Sequence, residues 1–333
     1  MKIAPGSSID PELAAVQAEL KAAGAAAPDI FALPLPEARA QLDRHYAHLA
    51  DKAPIMRHSV DLSIPFGDTT LRARLHRPTD ARSDSLLVYL HGGGWAFGTL
   101  DTHDHIMRML AVESGLPLLG LEYSLAPERK YPHQVREIGA AFDWLGRHAD
   151  ELGCDPGRIV LVGDSAGANL AVAAALHGLS NAARGAVKGL VLLYGVYSAD
   201  TAKSSWHALG DGRFGLSVAA MRWYWDQYVA EERQTLNGRV APLAGSLAGS
   251  PPAWIGVGEL DPLLDDSVDL SAALTAAAVP NELRVYSGLT HGFIRFGGRV
   301  PAVRGAIRDA AVAARKLAEG AFAGRQNALK RAE

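Results

Sequence analysis

Three stretches of the chain could do nucleophilic chemistry together: Gly163-Asp164-Ser165-Ala166-Gly167, His91-Gly92-Gly93-Gly94-Trp95, and a histidine, His291, with acidic residues a short way before it. The first follows the apolar run Arg158-Ile159-Val160-Leu161-Val162 and leads into Asn169-Leu170-Ala171-Val172-Ala173-Ala174-Ala175-Leu176, a good helix former. A strand that turns sharply into a helix holds its central serine in a strained conformation with the hydroxyl exposed. Glycines on either side remove the β-carbons that would clash in such a turn. A serine placed this way becomes an acyl-transfer nucleophile once a base takes its proton.

The other stretches supply what that nucleophile needs. Three consecutive glycines after the strand Leu86-Leu87-Val88-Tyr89-Leu90 let a backbone come close to a ligand with its N–H groups free. In α/β-hydrolases such a loop and the N–H after the nucleophile together bind the developing oxyanion. Gly93, Gly94 and Ala166 are the donors expected here. Of 12 histidines, His291 stands out because Thr290-His291-Gly292-Phe293 lies just beyond the last strand, on the same sheet edge as the serine turn. The acid falls between serine and histidine in chain order. Asp261, on a loop before Pro262, is the first choice and Glu259 its rival. Asp265 and Asp266 enter the following helix, where its dipole alone favours acids.

The surrounding pattern is α/β. Residues 58–66, 70–76, 86–91, 117–123, 159–163, 189–194, 253–258 and 283–287 read as strands, the first two as an edge hairpin around Gly67-Asp68. Helical segments separate most later strands, which predicts a mainly parallel sheet of eight strands flanked by helices. Their continuous Val, Leu and Ile content fits strands covered on both faces. Residues 1–50 read as two helices, with Asp10-Pro11 as N-cap and first residue of one, and the other from Pro34–Pro36 to about Ala50. Residues 198–250, with Met221, Trp223, Tyr224, Trp225 and Tyr228 on one helix, are too long for a simple connection. The expected organisation is N-terminal cap helices over 1–50, a core of 51–197 and 251–333, and a second cap segment over 198–250. The alternative for that helix is plain packing on the core. Residues 324–333 are polar and expected to fray.

Composition narrows the function classes. The 333 residues (35.2 kDa) are 48% apolar and 21% charged, with a net charge of −3 that argues against nucleic acid or an anionic membrane as partner. The lone Cys154 excludes an internal disulfide. The first eight residues lack the apolar core of a signal peptide, and no apolar stretch approaches the roughly 20 residues of a membrane span. A cytoplasmic location is therefore expected. Asp101-Thr102-His103-Asp104-His105 superficially resembles a metal cluster, but nothing downstream completes it, and Asp101 could simply cap a helix starting there. The Trp223–Trp225 aromatics suit a cap lining or core packing better than a stacking platform for bases.

Together the motifs resemble the hormone-sensitive-lipase family of carboxylesterases, the bacterial family IV lipolytic enzymes, over nearly the whole chain. The resemblance is carried by His91–Trp95 with Gly98, by Glu122-Tyr123-Ser124-Leu125-Ala126-Pro127-Glu128, by Gly163–Asn169, by Asp261-Pro262-Leu263 and by His291-Gly292-Phe293. Ile9-Asp10-Pro11-Glu12-Leu13 looks like that family's cap entry and Met221–Tyr228 like its second cap piece; Asp164 marks the larger of its two elbow variants. The resemblance implies an α/β-hydrolase with Ser165 as nucleophile, His291 as base, Asp261 as its partner and Gly93, Gly94 and Ala166 as oxyanion donors. His91 would shape the glycine loop without moving protons. It implies a carboxylesterase for small esters of short to medium acyl chain, without metal or organic cofactor, and compatible with a homodimer. Ser124, where many relatives carry Arg, and Gly195, where Pro is usual after Tyr194, depart from the pattern. A non-catalytic small-molecule-binding protein on the same fold, or a hydrolase of amides or lactones, are the alternatives.

Overall fold

A computed structural model describes residues 7–50, 53–324 and 330–332. Its first half contains α1 (Pro11–Ala22), α2 (Leu35–Ala47), β1 (His58–Phe66), β2 (Thr69–Arg77), β3 (Ser85–Leu90), α3 (Leu100–Ser114), β4 (Leu118–Glu122), α4 (His133–His148) and β5 (Asp155–Asp164). There follow α5 (Ala166–Ala173), α6 (Asn181–Ala186), β6 (Val187–Leu193), α7 (Ser204–Leu209), α8 (Val218–Tyr228), β7 (Ala253–Leu260), α9 (Leu264–Ala276), β8 (Asn281–Thr290), α10 (Pro301–Ala318) and β9 (Lys330–Ala332).

The strands form one sheet in the order β1-β2-β4-β3-β5-β6-β7-β8-β9. β1 and β2 make the expected antiparallel hairpin, closed by the Phe66–Thr69 pair with Gly67 at φ 54°. β2 also runs antiparallel to β4, and every later pairing is parallel. Every residue of β3 and β7 is buried, the mark of strands covered on both faces. α3 and α10 pack on each other against the sheet, while α4 neighbours α5 and α6.

Two local readings change. The cap of α3 is Thr99, not Asp101: its hydroxyl accepts the Thr102 N–H and Thr102 answers with its own side chain, a reciprocal box that leaves Asp101 inside the first turn. The chain end also extends the sheet, since Lys330–Ala332 pair in parallel with Arg284–Tyr286 of β8 where fraying was expected; the rest of that tail lies outside the described residues. Among the described residues no helix is long and apolar enough to cross a membrane.

Candidate active site

Strand ends bring the candidate residues together. Ser165 follows β5, Asp261 follows β7, His291 follows β8 and the glycine loop follows β3, all at the carboxyl edge of the parallel strands. Such an edge is where open α/β sheets bind ligands.

Ser165 sits at φ 52°, ψ −119°, outside the regions a non-glycine residue normally occupies. Tertiary contacts hold it there. Its N–H donates to Leu193 O at 2.9 Å, tying the turn to β6. A β-carbon on Gly163 would come within 2.5 Å of the Gly167 carbonyl group, and one on Gly167 within 1.9 Å of Leu90 O. The two glycines thus let strand, helix and neighbouring strand meet backbone to backbone.

Ser165 Oγ lies 3.1 Å from His291 Nε2. On the other side of the ring, Nδ1 is 2.9 Å from Asp261 Oδ2 and 3.1 Å from Oδ1. Asp261 is fully buried, and its Oδ1 also accepts the Leu263 N–H at 2.8 Å. A carboxylate so fixed keeps the proton on Nδ1 and leaves Nε2 free to accept one from the serine. Glu259, the rival acid, accepts the Ser7 hydroxyl at 3.1 Å instead. The His291 backbone N–H donates to Phe214 O at 3.1 Å, so the 198–250 segment touches this histidine directly.

Gly93 (φ 121°) and Gly94 (φ 58°) both take left-handed backbone, and both line the cavity with Ser165 and Ala166. A β-carbon on Gly94 would fall 2.2 Å from Tyr224 Cδ1, so the ring of α8 packs on bare backbone there. Asp164, the variable residue of the turn, reaches back to this loop. Buried, it accepts the Gly92 N–H at 2.7 Å and the Tyr89 hydroxyl at 2.6 Å, coupling the serine turn and the glycine loop through one carboxylate. The motif alone did not reveal this; a carboxylate at the end of an otherwise apolar buried strand was the available signal. His91 turns Nδ1 to Gly92 O at 2.9 Å and stacks on Tyr123 at 4.2 Å, and burial lowers its pKa. It faces the loop, not Ser165.

A cavity of about 580 Å³ opens on Ser165 and His291, walled by residues of α1, α2 and the loop between them and by residues 212–224. α2 is fastened to the core by Arg39, which donates to Ala96 O and Ala126 O, both at 2.9 Å, and to both Glu128 carboxylate oxygens at 2.8 Å. Asp10 caps α1 as expected, accepting from Glu12 and Leu13 N–H at 3.0 Å. The 198–250 segment is rooted in the core at its start, where Asp266 accepts the Tyr197 and Ser198 N–H groups and pairs with Lys203 at 2.7 Å. Of its aromatics, Tyr224 lines the cavity, Trp225 lies against Trp95, and Trp223 packs on Phe31 and Phe97.

The residues of the 101–105 run disperse. Asp104 pairs with Arg74 at 3.0 Å, His103 faces Arg295, and His105 Nε2 meets Arg295 O at 3.1 Å. The two departures from the family pattern also find partners: Ser124 donates its N–H and hydroxyl to Glu137 at 2.8 and 2.6 Å. At Gly195 a β-carbon would fall 2.2 Å from the Tyr197 oxygen, so a larger residue would displace that ring.

Against known proteins, residues 87–295 match a family model described as the alpha/beta hydrolase fold. The chain is 36% identical over 298 residues to an ethyl acetate hydrolase of Pseudomonas putida, covering 87% of this chain and 93% of that one. It is 34% identical over 264 residues to an acetyl esterase of Salmonella typhi, covering 79% and 80%. Among solved structures it resembles a hyperthermophilic esterase of the archaeon Pyrobaculum calidifontis (TM-score 0.85, 30% identity, 93% of this chain and 99% of that one). It also resembles a thermostable carboxylesterase cloned from a metagenomic library (TM-score 0.81, 33% identity, 86% and 98%).

Proposed function

The chain belongs to the α/β-hydrolase fold family, and from that premise we propose that it is a carboxylesterase working through Ser165, His291 and Asp261 on esters of short to medium acyl chain. The carrying observation is the relay from Ser165 Oγ to His291 Nε2 at 3.1 Å and from His291 Nδ1 to a buried Asp261 at 2.9 Å. His291 takes the Ser165 proton as the hydroxyl attacks the ester carbonyl. The N–H groups of Gly93, Gly94 and Ala166 receive the oxyanion, each worth about 3 kcal/mol by comparison with other acyl-transfer enzymes. The tetrahedral intermediate collapses as His291 protonates the departing alcohol; water then repeats the cycle on the acyl-enzyme to release the acid. Asp261 orients the imidazole and stabilises its charged form. No step calls on a metal or organic cofactor.

Residues 1–50 and 198–250 act as the cap in this reading. The small-ester preference is supported by relatives named for ethyl acetate and acetyl esters; the cavity, about 580 Å³, holds such esters whole. The test is Ser165→Ala on a panel of alkyl and aryl esters. All ester cleavage should vanish with the fold intact, and activity surviving the change would remove the mechanism. With the unaltered enzyme, a rate that keeps rising beyond about twelve acyl carbons would remove the size preference.

A further inference from the structure

Under α2 the cavity wall holds a guanidinium without an ion-pair partner. Arg295 is 8% exposed and lines the cavity beside His291 and Gly292, and its Cζ lies 4.5 Å from the centre of the Tyr46 ring. Its Nη2 is 3.3 Å from His103 Nε2. His103 Nδ1 is engaged with Thr102 Oγ1 at 2.9 Å and Thr99 O at 3.3 Å, and burial, with Arg295 beside it, holds the ring neutral, so its Nε2 accepts a hydrogen bond from the arginine without balancing its charge. Among the described residues Arg295 Nε has no hydrogen-bond partner, and no carboxylate forms an ion pair with the group. Asp164, a buried acid in this network, lies beyond His103, attracts Arg295 across that gap without touching it, and takes its own hydrogen bonds from Gly92 and Tyr89. A buried charge balanced only at a distance gains from a counter-ion in direct contact. Of the other charges lining the cavity, Arg213 pairs with Asp211 at 3.0 Å and Lys21 is matched in number by Asp29, which leaves the Arg295 guanidinium as the distinctive one.

We infer that the site takes esters that also carry a carboxylate, held by the Arg295 guanidinium, such as the monoester of a short dicarboxylic acid. The planar fork of arginine matches a carboxylate and is the side chain best suited to bind one away from water. This inference rests on the carboxylesterase reading. Arg295 is a specificity-determining group in it, not a participant in acyl transfer.

The test compares kcat/KM for monomethyl glutarate with that for methyl hexanoate, its neutral counterpart of similar shape, by titrating released acid. A second pair, acetoxyacetate and propyl acetate, places the charge on the alcohol side instead. The unaltered enzyme should prefer the anionic member of at least one pair, mainly through KM. Arg295→Met should lower that anionic-to-neutral ratio by about tenfold to a hundredfold, the worth of a hydrogen bond to a charged group; Arg295→Lys should lower it less. Where Arg295→Met does not fold, competitive inhibition of methyl hexanoate cleavage by glutarate in the unaltered enzyme decides, and its absence overturns the inference. Preference for the neutral ester in both pairs, or a ratio unmoved by Arg295→Met, overturns it too. An enzyme that cleaves none of the four esters overturns the esterase reading itself, a distinct outcome.

Discussion

Replacing Asp261 by asparagine exchanges one carboxylate oxygen for an NH2 group, and the structure dictates which. Oδ1 accepts the buried Leu263 N–H at 2.8 Å and lies 3.1 Å from His291 Nδ1, while Oδ2 has Nδ1 alone as partner among the described residues and comes closer to it, at 2.9 Å. Turning the amide the other way would set two donors against each other at Leu263, leaving a buried N–H unpaired at a cost of about 1–3 kcal/mol. The asparagine oxygen therefore stays on Leu263, and its NH2 donates to Nδ1. That forces the proton of His291 onto Nε2, the atom that must accept the Ser165 proton. In serine proteases the same wrong-tautomer trap costs about 10⁴ in kcat, equivalent to about 5.5 kcal/mol of transition-state stabilisation. We expect Asp261→Asn to lose about 10³–10⁴ in kcat on 4-nitrophenyl acetate, with KM changed little and the circular dichroism spectrum retained. Glu259→Gln is the matched control: its carboxylate serves Ser7, so kcat should stay within about twofold. Asp261→Asn keeping more than about a tenth of the rate, or an equal loss in Glu259→Gln, would refute the assignment of the acid.

Two other measurements bear on the surroundings. Gly94→Ala forces a β-carbon onto φ 58° and to 2.2 Å from the Tyr224 ring, so kcat should fall about 10²-fold, the usual loss for one misplaced oxyanion donor. Adding Tyr224→Ala should recover only the steric part, and a single Gly94→Ala variant with unaltered kcat would exclude the loop from catalysis. Stability should fall on acidification. Burial holds His105 at about 4 against an ordinary 6.5, so between these values the unfolded chain binds a proton that the native state refuses. Stability from this group is full above pH 6.5 and lost as pH falls toward 4, amounting to about 2 kcal/mol between pH 7 and 5. Burial lowers His91 and His103 in the same direction. Urea unfolding at the two pH values measures the difference; His105→Gln should shrink it, and stability equal at both would contradict the burial argument.

Much of the architecture was legible because it rests on local pattern. β1, β2 and the strands bearing Ser165, Asp261 and His291 announce themselves by apolar or β-branched runs, and each candidate residue follows a strand end. The order serine, acid, histidine then identified side chains that the fold brings within 3.1 Å of one another. Alternation could not separate Asp261 from Glu259, since residues two apart on a strand share a face; the choice rested on the place of Asp261 on the loop before Pro262, just past the end of β7 at Leu260. What stayed hidden depends on contacts between distant segments. Asp164 reaches Gly92 across 72 residues, and Arg295 meets His103 across 192, pairings that no local spacing encodes. Asp101 and Thr99 are both good capping residues, and the reciprocal bond with Thr102 favours the threonine. Lys330–Ala332 has no apolar signature at all; it is held by the open backbone edge of β8.

The grip of Arg39 has a kinetic consequence. Lifting α2 away from the core would break its bonds to Ala96, Ala126 and Glu128 in a single concerted event. In the proposed reaction α2 is then expected to stay in place, and an ester to enter between the two non-helical stretches that border the cavity, residues 26–31 and 212–217. Fluctuations of such loops run on nanoseconds to microseconds, far faster than ordinary turnover. In the proposed reaction, entry and exit are then expected to be brief, and a pre-steady-state burst of alcohol release, or its absence, shows whether forming or hydrolysing the Ser165 ester sets the pace.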